Sequence, residues 1–176
     1  RLLLQRLVGD ASFAFATPVS TRSHPAMAAM LGAFINSIVI PTAVDEDRMV
    51  DDEMRRFDRD LRELLGHVST PFHTIAETIA PARRSDRHPL FQSMFVHQEH
   101  QPLPPLGEAR LEPLMLDLGV AKFDVTLFLA EEGGENGGNM TLALEYRQDR
   151  FRHSDMERLL DAYGELLRWL TQHSQR

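Results

Sequence analysis

The sequence contains no cysteine. Disulfides, thiolate nucleophiles and cysteine-ligated zinc are therefore excluded, and a reducing, cytoplasmic setting is the expectation. Nor does it contain an apolar run near the ~20 residues needed to span a bilayer. Excess positive charge is missing too: 19 Lys and Arg stand against 26 Asp and Glu, a net charge of −7. Without a basic field, neither nucleic acid nor an anionic membrane surface is an expected partner. The opening "RLLLQRLVGD" is too short in apolar residues for a signal peptide and shows no cleavage pattern. It lacks an initiator methionine and starts inside a helical pattern, so we expect a piece of a longer polypeptide.

What is present reads as one globular domain with its own core: 176 residues, 43% hydrophobic and 26% charged. No internal repeat interrupts it. Leu2, Leu3, Leu4, Leu7 and Val8 form a helical stripe stopped by Gly9 and Asp10. "SFAFATPV" alternates as a strand ending near Pro18. Pro25 suits a first helical position, and a helix carrying Met27, Met30 and Leu31 toward Phe34 is expected. "NSIVIPT" is a second strand. Val50, Met54, Phe57, Leu61, Leu64 and Val68 recur at helical spacing, leaving an acidic outer face whose carboxylates are solvated rather than catalytic. Thr70 before Pro71 opens a short helix through Ile75 and Ile79.

Further strands are expected near 90–98, 110–117, 122–130 and 139–147, the last two forming a hairpin across the glycine-rich "EEGGENGG". In the first, "RHPLFQSMFVHQ", apolar residues on both parities imply burial on both faces. A final helix begins at a capping box of Ser154 and Glu157 and carries Met156, Leu159, Leu160, Tyr163, Leu166, Leu167 and Leu170. Mixed strands with interleaved helices indicate an α/β or α+β sandwich, a mixed sheet with helices packed on it.

Catalytic constellations are scarce. His97, Glu99 and His100 could offer metal ligands, but positions three apart on a strand point to opposite faces and no fourth ligand is evident; a solvated strand end is the preferred reading. "GGENGG" lacks the downstream Lys-Ser/Thr of a phosphate cradle. Ser12, Ser20 and Ser37 have no nucleophile-elbow context. Asp124 is placed in mid-strand, capping or pairing at the sheet surface, and His67 and His73 read as structural helix-end histidines.

Six segments nevertheless come in a telling order: "TPVSTR", "LGAFINSIVIPT", "GHVSTPF", "RRSDRHPLFQSMFVHQ", "AKFDVTLFLAE" and "LEYRQDRF". Together they resemble the C-terminal lobe of nonribosomal peptide synthetase condensation domains over nearly the whole chain. Gly32-Ala33-Phe34-Ile35-Asn36 is similar to that family's G-x-F-x-N motif. Pro89-Leu90-Phe91-Gln92 is similar to its N-P-L-F-Q segment, with His88 in the Asn place. Lys122-Phe123-Asp124 and Glu145-Tyr146 also match recurrent positions. The family's H-Q-D-x-P-F-E reads His67-Val68-Ser69-Thr70-Pro71-Phe72-His73 here, losing three polar residues, and Pro41 replaces a common arginine. The catalytic H-H-x-x-x-D-G, which belongs to the N-terminal lobe, is absent from these residues.

The resemblance implies a chloramphenicol acetyltransferase-like half-domain that faces a similar N-terminal lobe across a tunnel. Donor and acceptor carrier proteins would bring phosphopantetheine-tethered substrates into that tunnel, beside an adjacent adenylation domain. No cofactor would be bound directly, and no catalytic residue would lie in these residues. Phe34, Asn36, His67, Pro89, Phe91, Gln92, Lys122 and Asp124 become the tunnel or structural candidates. Residues 100–119 map onto a segment that crosses to the partner lobe: Pro102, Pro104 and Pro105 disfavour local pairing, while Leu111, Leu114 and Leu116 still need burial. The alternative is a noncatalytic, degenerate lobe serving as a protein-interaction platform, for which the altered 67–73 segment speaks. Another coenzyme A-dependent acyltransferase of the same fold is the third reading.

Overall fold

The computed structural model describes residues 1–9, 13–45, 47–79, 90–99, 107–109, 111, 114, 119–132 and 139–173. Among the described residues, ten elements follow one another: α1 (Leu2–Val8), β1 (Ala14–Ser20), a 3-10 turn (Pro25–Met27), β2 (Ile35–Pro41), α2 (Val50–Gly66), α3 (Phe72–Ile79), β3 (Ser93–Glu99), β4 (Val125–Glu132), β5 (Asn139–Tyr146) and α4 (His153–His173). The strands form one mixed sheet in the order β2-β1-β3-β4-β5. β1, β3 and β4 run parallel, and the outer strands β2 and β5 run antiparallel to their neighbours.

Strand parity sorts the core into two layers. Phe15, Ile38 and Ile40 point to one face, where Leu4 of α1 and Phe57, Leu61 and Leu64 of α2 cover them. Ala16 points the other way and is buried with Phe91 and Phe123, against Phe72 of α3 and Met94. α2 needs no side-chain cap because Asp51, Asp52 and Glu53 in its first turn complement the helix dipole. On its outer face Asp58 is solvated and pairs with Arg62 at 2.9 Å, whereas Glu53, expected to be solvated too, is 13% exposed and faces Arg1 and Arg56. α4 packs on β5 and buries Met156.

Several expectations need correction. The helix at Pro25 is a single 3-10 turn: the His24 imidazole caps the Ala26 N–H, and nothing buries Met30 or Leu31 to prolong it. β1 continues through Pro18 to Ser20, paired with β2 throughout. Its ladder to β3 registers at Ala16 opposite Met94, and Pro18 has no N–H with which to extend it. β3 starts at Ser93 and β4 at Val125, so Leu90–Gln92 and Lys122–Asp124 lie before their strands. Asp124 is therefore not in mid-strand. α4 begins at His153, which puts Ser154 inside the first turn, and Glu157 pairs with His153 at 3.3 Å instead of closing a capping box. Of the strand expected at 110–117, Leu111 and Leu114 are described, outside any strand and exposed; its other residues and most of the crossover segment 100–119 lie outside the described residues, as do Pro89 and His100.

Candidate functional site

The parallel strands β1, β3 and β4 share one carboxyl end, the end at which open α/β sheets present ligand crevices. Asn36 lies there, opposite Val19 near the exit of β1. Its side-chain amide donates to the carbonyls of Val68 at 2.8 Å and Thr70 at 2.7 Å, while its oxygen accepts the Phe72 N–H at 3.0 Å. Three backbone groups of the α2–α3 turn are thus satisfied by one side chain. No apolar residue of similar size could replace it, because a turn leaves those groups without helical partners. The turn it braces is not the one before β2. It lies more than 30 residues away, at the altered His67–His73 segment. His67 itself caps α2 through its backbone N–H, to Leu64 and Leu65, with an exposed side chain.

Phe34 precedes this cradle and is held on one face by the Arg22 guanidinium, 4.1 Å from the ring centroid. The same guanidinium donates to the carbonyls of Met27 and Met30, the latter at 2.9 Å. Gly32 adopts φ 151°, and a Cβ there would stand 3.1 Å from the Phe34 ring. The backbone angle, which L side chains rarely adopt, favours the glycine of the G-x-F-x-N pattern, and a Cβ would in addition press on the Phe34 ring.

The remaining candidates gather at the opposite, amino end of β3 and β4. Gln92 accepts the Asp124 N–H at 2.9 Å through its backbone carbonyl, and Asp124 accepts the Arg147 N–H at 3.1 Å in the same way. The Asp124 carboxylate takes a 2.9 Å hydrogen bond from Arg150 and faces Arg147 at 3.9 Å. One acid thus ties the start of β4 to the turn that launches α4. Lys122 is exposed, its ammonium 5.6 Å from the Phe123 ring. Phe91 is 1% exposed and fixed between Phe72, edge-on at 5.6 Å, and Phe123, tilted at 5.3 Å. Because Phe72 also donates its N–H to Asn36, this aromatic row joins the two ends of the sheet.

Arg22, Phe72, Arg147 and Arg150 were not among the candidates. The two later arginines were legible in the quoted "LEYRQDRF"; Arg22 closes "TPVSTR", but nothing in sequence links it to Phe34. His97 pairs with Glu131 across the sheet at 3.0 Å, and among the described residues no three His, Asp or Glu side chains converge as a metal site would require. An open depression of about 570 Å³ beside Arg150 and Phe151 contains the Tyr146 hydroxyl, bonded to His153 Nδ1 at 2.8 Å. Among the described residues, the two ends thus bring together scaffold and surface groups, the exposed Tyr146–His153 pair included.

The family model described as "Condensation domain" matches residues 1–176. Malpinin synthetase of Mortierella alpina is 32% identical over 160 residues, which are 89% of this chain and 2% of that protein. Tyrocidine synthase 3 of Brevibacillus parabrevis is 30% identical over 160 residues, again 89% of this chain and 2% of that protein. The chain therefore spans a small fraction of the curated relatives it matches. Among solved structures, the X-domain from teicoplanin biosynthesis superposes with a TM-score of 0.83 at 21% identity, covering 99% of this chain and 40% of that one. The condensation domain from the Monacolin K polyketide synthase MokA gives 0.81 at 17% identity, covering 97% and 39%. These structures share the expected α/β fold, and with the family model matching from the first residue to the last, the chain belongs to the condensation-domain family.

Proposed function

We propose that this chain is the C-terminal lobe of a nonribosomal peptide synthetase condensation domain and supplies tunnel wall and carrier-docking surface for amide-bond formation. The whole-chain family match carries the reading. In the reaction, the acceptor amine attacks the donor thioester carbonyl, the C–N bond forms and the C–S bond breaks. The amine's proton leaves with the donor thiol, so atoms balance without a further reactant. Phosphopantetheine arms act as tethers that belong to the carrier proteins. Confining two tethered reactants removes much of the entropy of their encounter. The motif histidine of the N-terminal lobe acts on the amine. This lobe orients the tunnel through Asn36 and the Phe34 platform.

The partners on this reading are the N-terminal lobe, donor and acceptor carrier proteins and an adjacent adenylation domain, in the cytoplasm. Among the described residues, no helix is long and apolar enough to cross a membrane. The alternative of a noncatalytic interaction platform draws on a structure of this fold in complex with a protein partner, the X-domain with OxyB. The relatives' names, which are those of synthetases, favour condensation. The test uses loaded donor and acceptor carriers. The parent domain should form the amide and the 176-residue chain alone should not. Comparable turnover by both would overturn the assignment as one lobe, and no product from the parent domain would favour the interaction platform.

A further inference from the structure

The loop between β1 and β2 combines two features that rarely coincide. It is locked, and it is apolar outside. Arg22 spends its donors on the Met27 and Met30 carbonyls and stacks on Phe34, the Thr21 N–H bonds to the Phe34 carbonyl at 2.8 Å, and His24 caps the turn. Yet Met30 is 51% exposed, Ile35 is 74% exposed and Leu31 is entirely exposed. Single exposed leucines are ordinary, whereas here two large apolar side chains on a fixed loop and a third, Ile35, on the first residue of β2 stand exposed within six residues. A loop evolved only to connect two strands would be polar and free to move.

From these contacts we propose that Arg22 preorganises residues 25–35 as a docking prow whose Met30, Leu31 and Ile35 pack against the rest of the condensation domain, N-terminal to this chain. The inference rests on the lobe reading given above. Its occupant follows from length: solved domains that contain this fold match the chain over only 39% and 40% of their own residues. About three fifths of such a domain therefore lies elsewhere. The prow also sits at the carboxyl end of the parallel strands, beside the Asn36 cradle, where a second lobe must approach to close a crevice. Prior rigidity suits this role, because a preformed contact loses less conformational entropy on docking than a mobile one.

The test is photo-crosslinking in the intact parent domain, with a benzophenone amino acid at position 31 and a control at Arg152, which is exposed on another part of the surface. Mass spectrometry should map the position-31 crosslinks to residues N-terminal to this chain, above the yield from the control. Arg22→Lys keeps the charge but loses the planar fork, and should reduce that yield. Leu31→Asp should lower the melting temperature of the parent domain by roughly 2 °C or more. Crosslinks confined to residues 1–176, or only to a carrier protein, would overturn the proposal. So would an Arg22→Lys yield equal to wild type. None of these readouts depends on turnover, so an inactive parent domain that still crosslinks as expected would refute amide formation and leave the docking prow standing.

Discussion

The two ends of this sheet are built on different physics. At the carboxyl end of the parallel strands, neutral hydrogen bonds from Asn36 brace a distant turn, and the neighbouring loop shows apolar side chains to solvent. At the amino end, an aromatic row is buried and a carboxylate is shared between two arginines. One end is satisfied within the chain; the other is shaped for something beyond it. The lesson is that sequence motifs of one family need not form one site. Phe34, Asn36 and His67 belong to the first end, while Gln92, Lys122 and Asp124 belong to the second, and Phe91 lies in the row between them.

Removing the aromatic link is the strongest way to break this division. Phe91→Ala empties a fully buried site between two rings, and such truncations cost about 3–5 kcal/mol. Urea unfolding of the intact domain should show that loss, with Asn36 and the α2–α3 turn losing hydrogen-exchange protection as well. A loss below about 1 kcal/mol would mean that the row is not a structural link between the ends, since ordinary surface changes stay in that range.

The ionic clasp comes next. Asp124 is 17% exposed, and its removal leaves Arg150 and Arg147 without their shared acid. Asp124→Ala should cost about 2 kcal/mol, below the 3–5 of a fully buried pair because water reaches this one. Asp124→Asn keeps the shape and one acceptor, so it should recover part of the loss. Equal losses for the two substitutions would show that charge alone matters at this end.

Asn36 should have a smaller effect on stability and a visible one on the proposed reaction. Asn36→Ala leaves two carbonyls and one N–H of the turn to water, which reaches them in part, so about 1–2 kcal/mol is expected. Turnover should fall by about tenfold or less, matching a displaced support rather than a lost catalytic group. A loss equal to that from removing the motif histidine would make Asn36 catalytic.

How much of this was legible in the sequence depends on the range of each interaction. Strand alternation in "SFAFATPV" and the leucine stripe of α4 are local patterns, and both give the element while missing its bounds: β1 runs past Pro18 to Ser20, and α4 starts at His153, ahead of the expected cap. The helix expected at Pro25 failed because a good first position cannot replace a buried face, and Met30 and Leu31 have none. Asn36 stands in a local motif, Gly32-Ala33-Phe34-Ile35-Asn36. Its partners at 68–72 became visible only once β2 and α2 were packed together. Asp124 was legible as a pairing acid, but its arginines lie 23 and 26 positions away, and no spacing rule joins them. Ordered motifs identified the lobe; tertiary contacts decided which motif residues meet.

The smallest effect sharpens the comparison within the amino end itself. Arg147 also bonds Asp149, at 3.0 and 2.6 Å, but here the acid is exposed to solvent. The side-chain hydrogen bonds from Arg147 hold the Asp149 carboxyl below its usual range. A depressed carboxyl contributes stability above its unfolded pKa and loses it as pH falls through the folded one. Any contribution from Asp149 is therefore present at neutral pH and disappears on acidification below the ordinary carboxylate range. Exposure of the acid and salt screening keep it slight. Asp149→Asn should leave the unfolding midpoint at neutral pH nearly unchanged, and added salt should erase what difference remains. Asp124→Asn, at the half-buried clasp, should keep most of its destabilisation in the same salt. If the two variants respond alike to salt and acid, burial does not separate the two acids, and Asp124 is a surface pair like its neighbour.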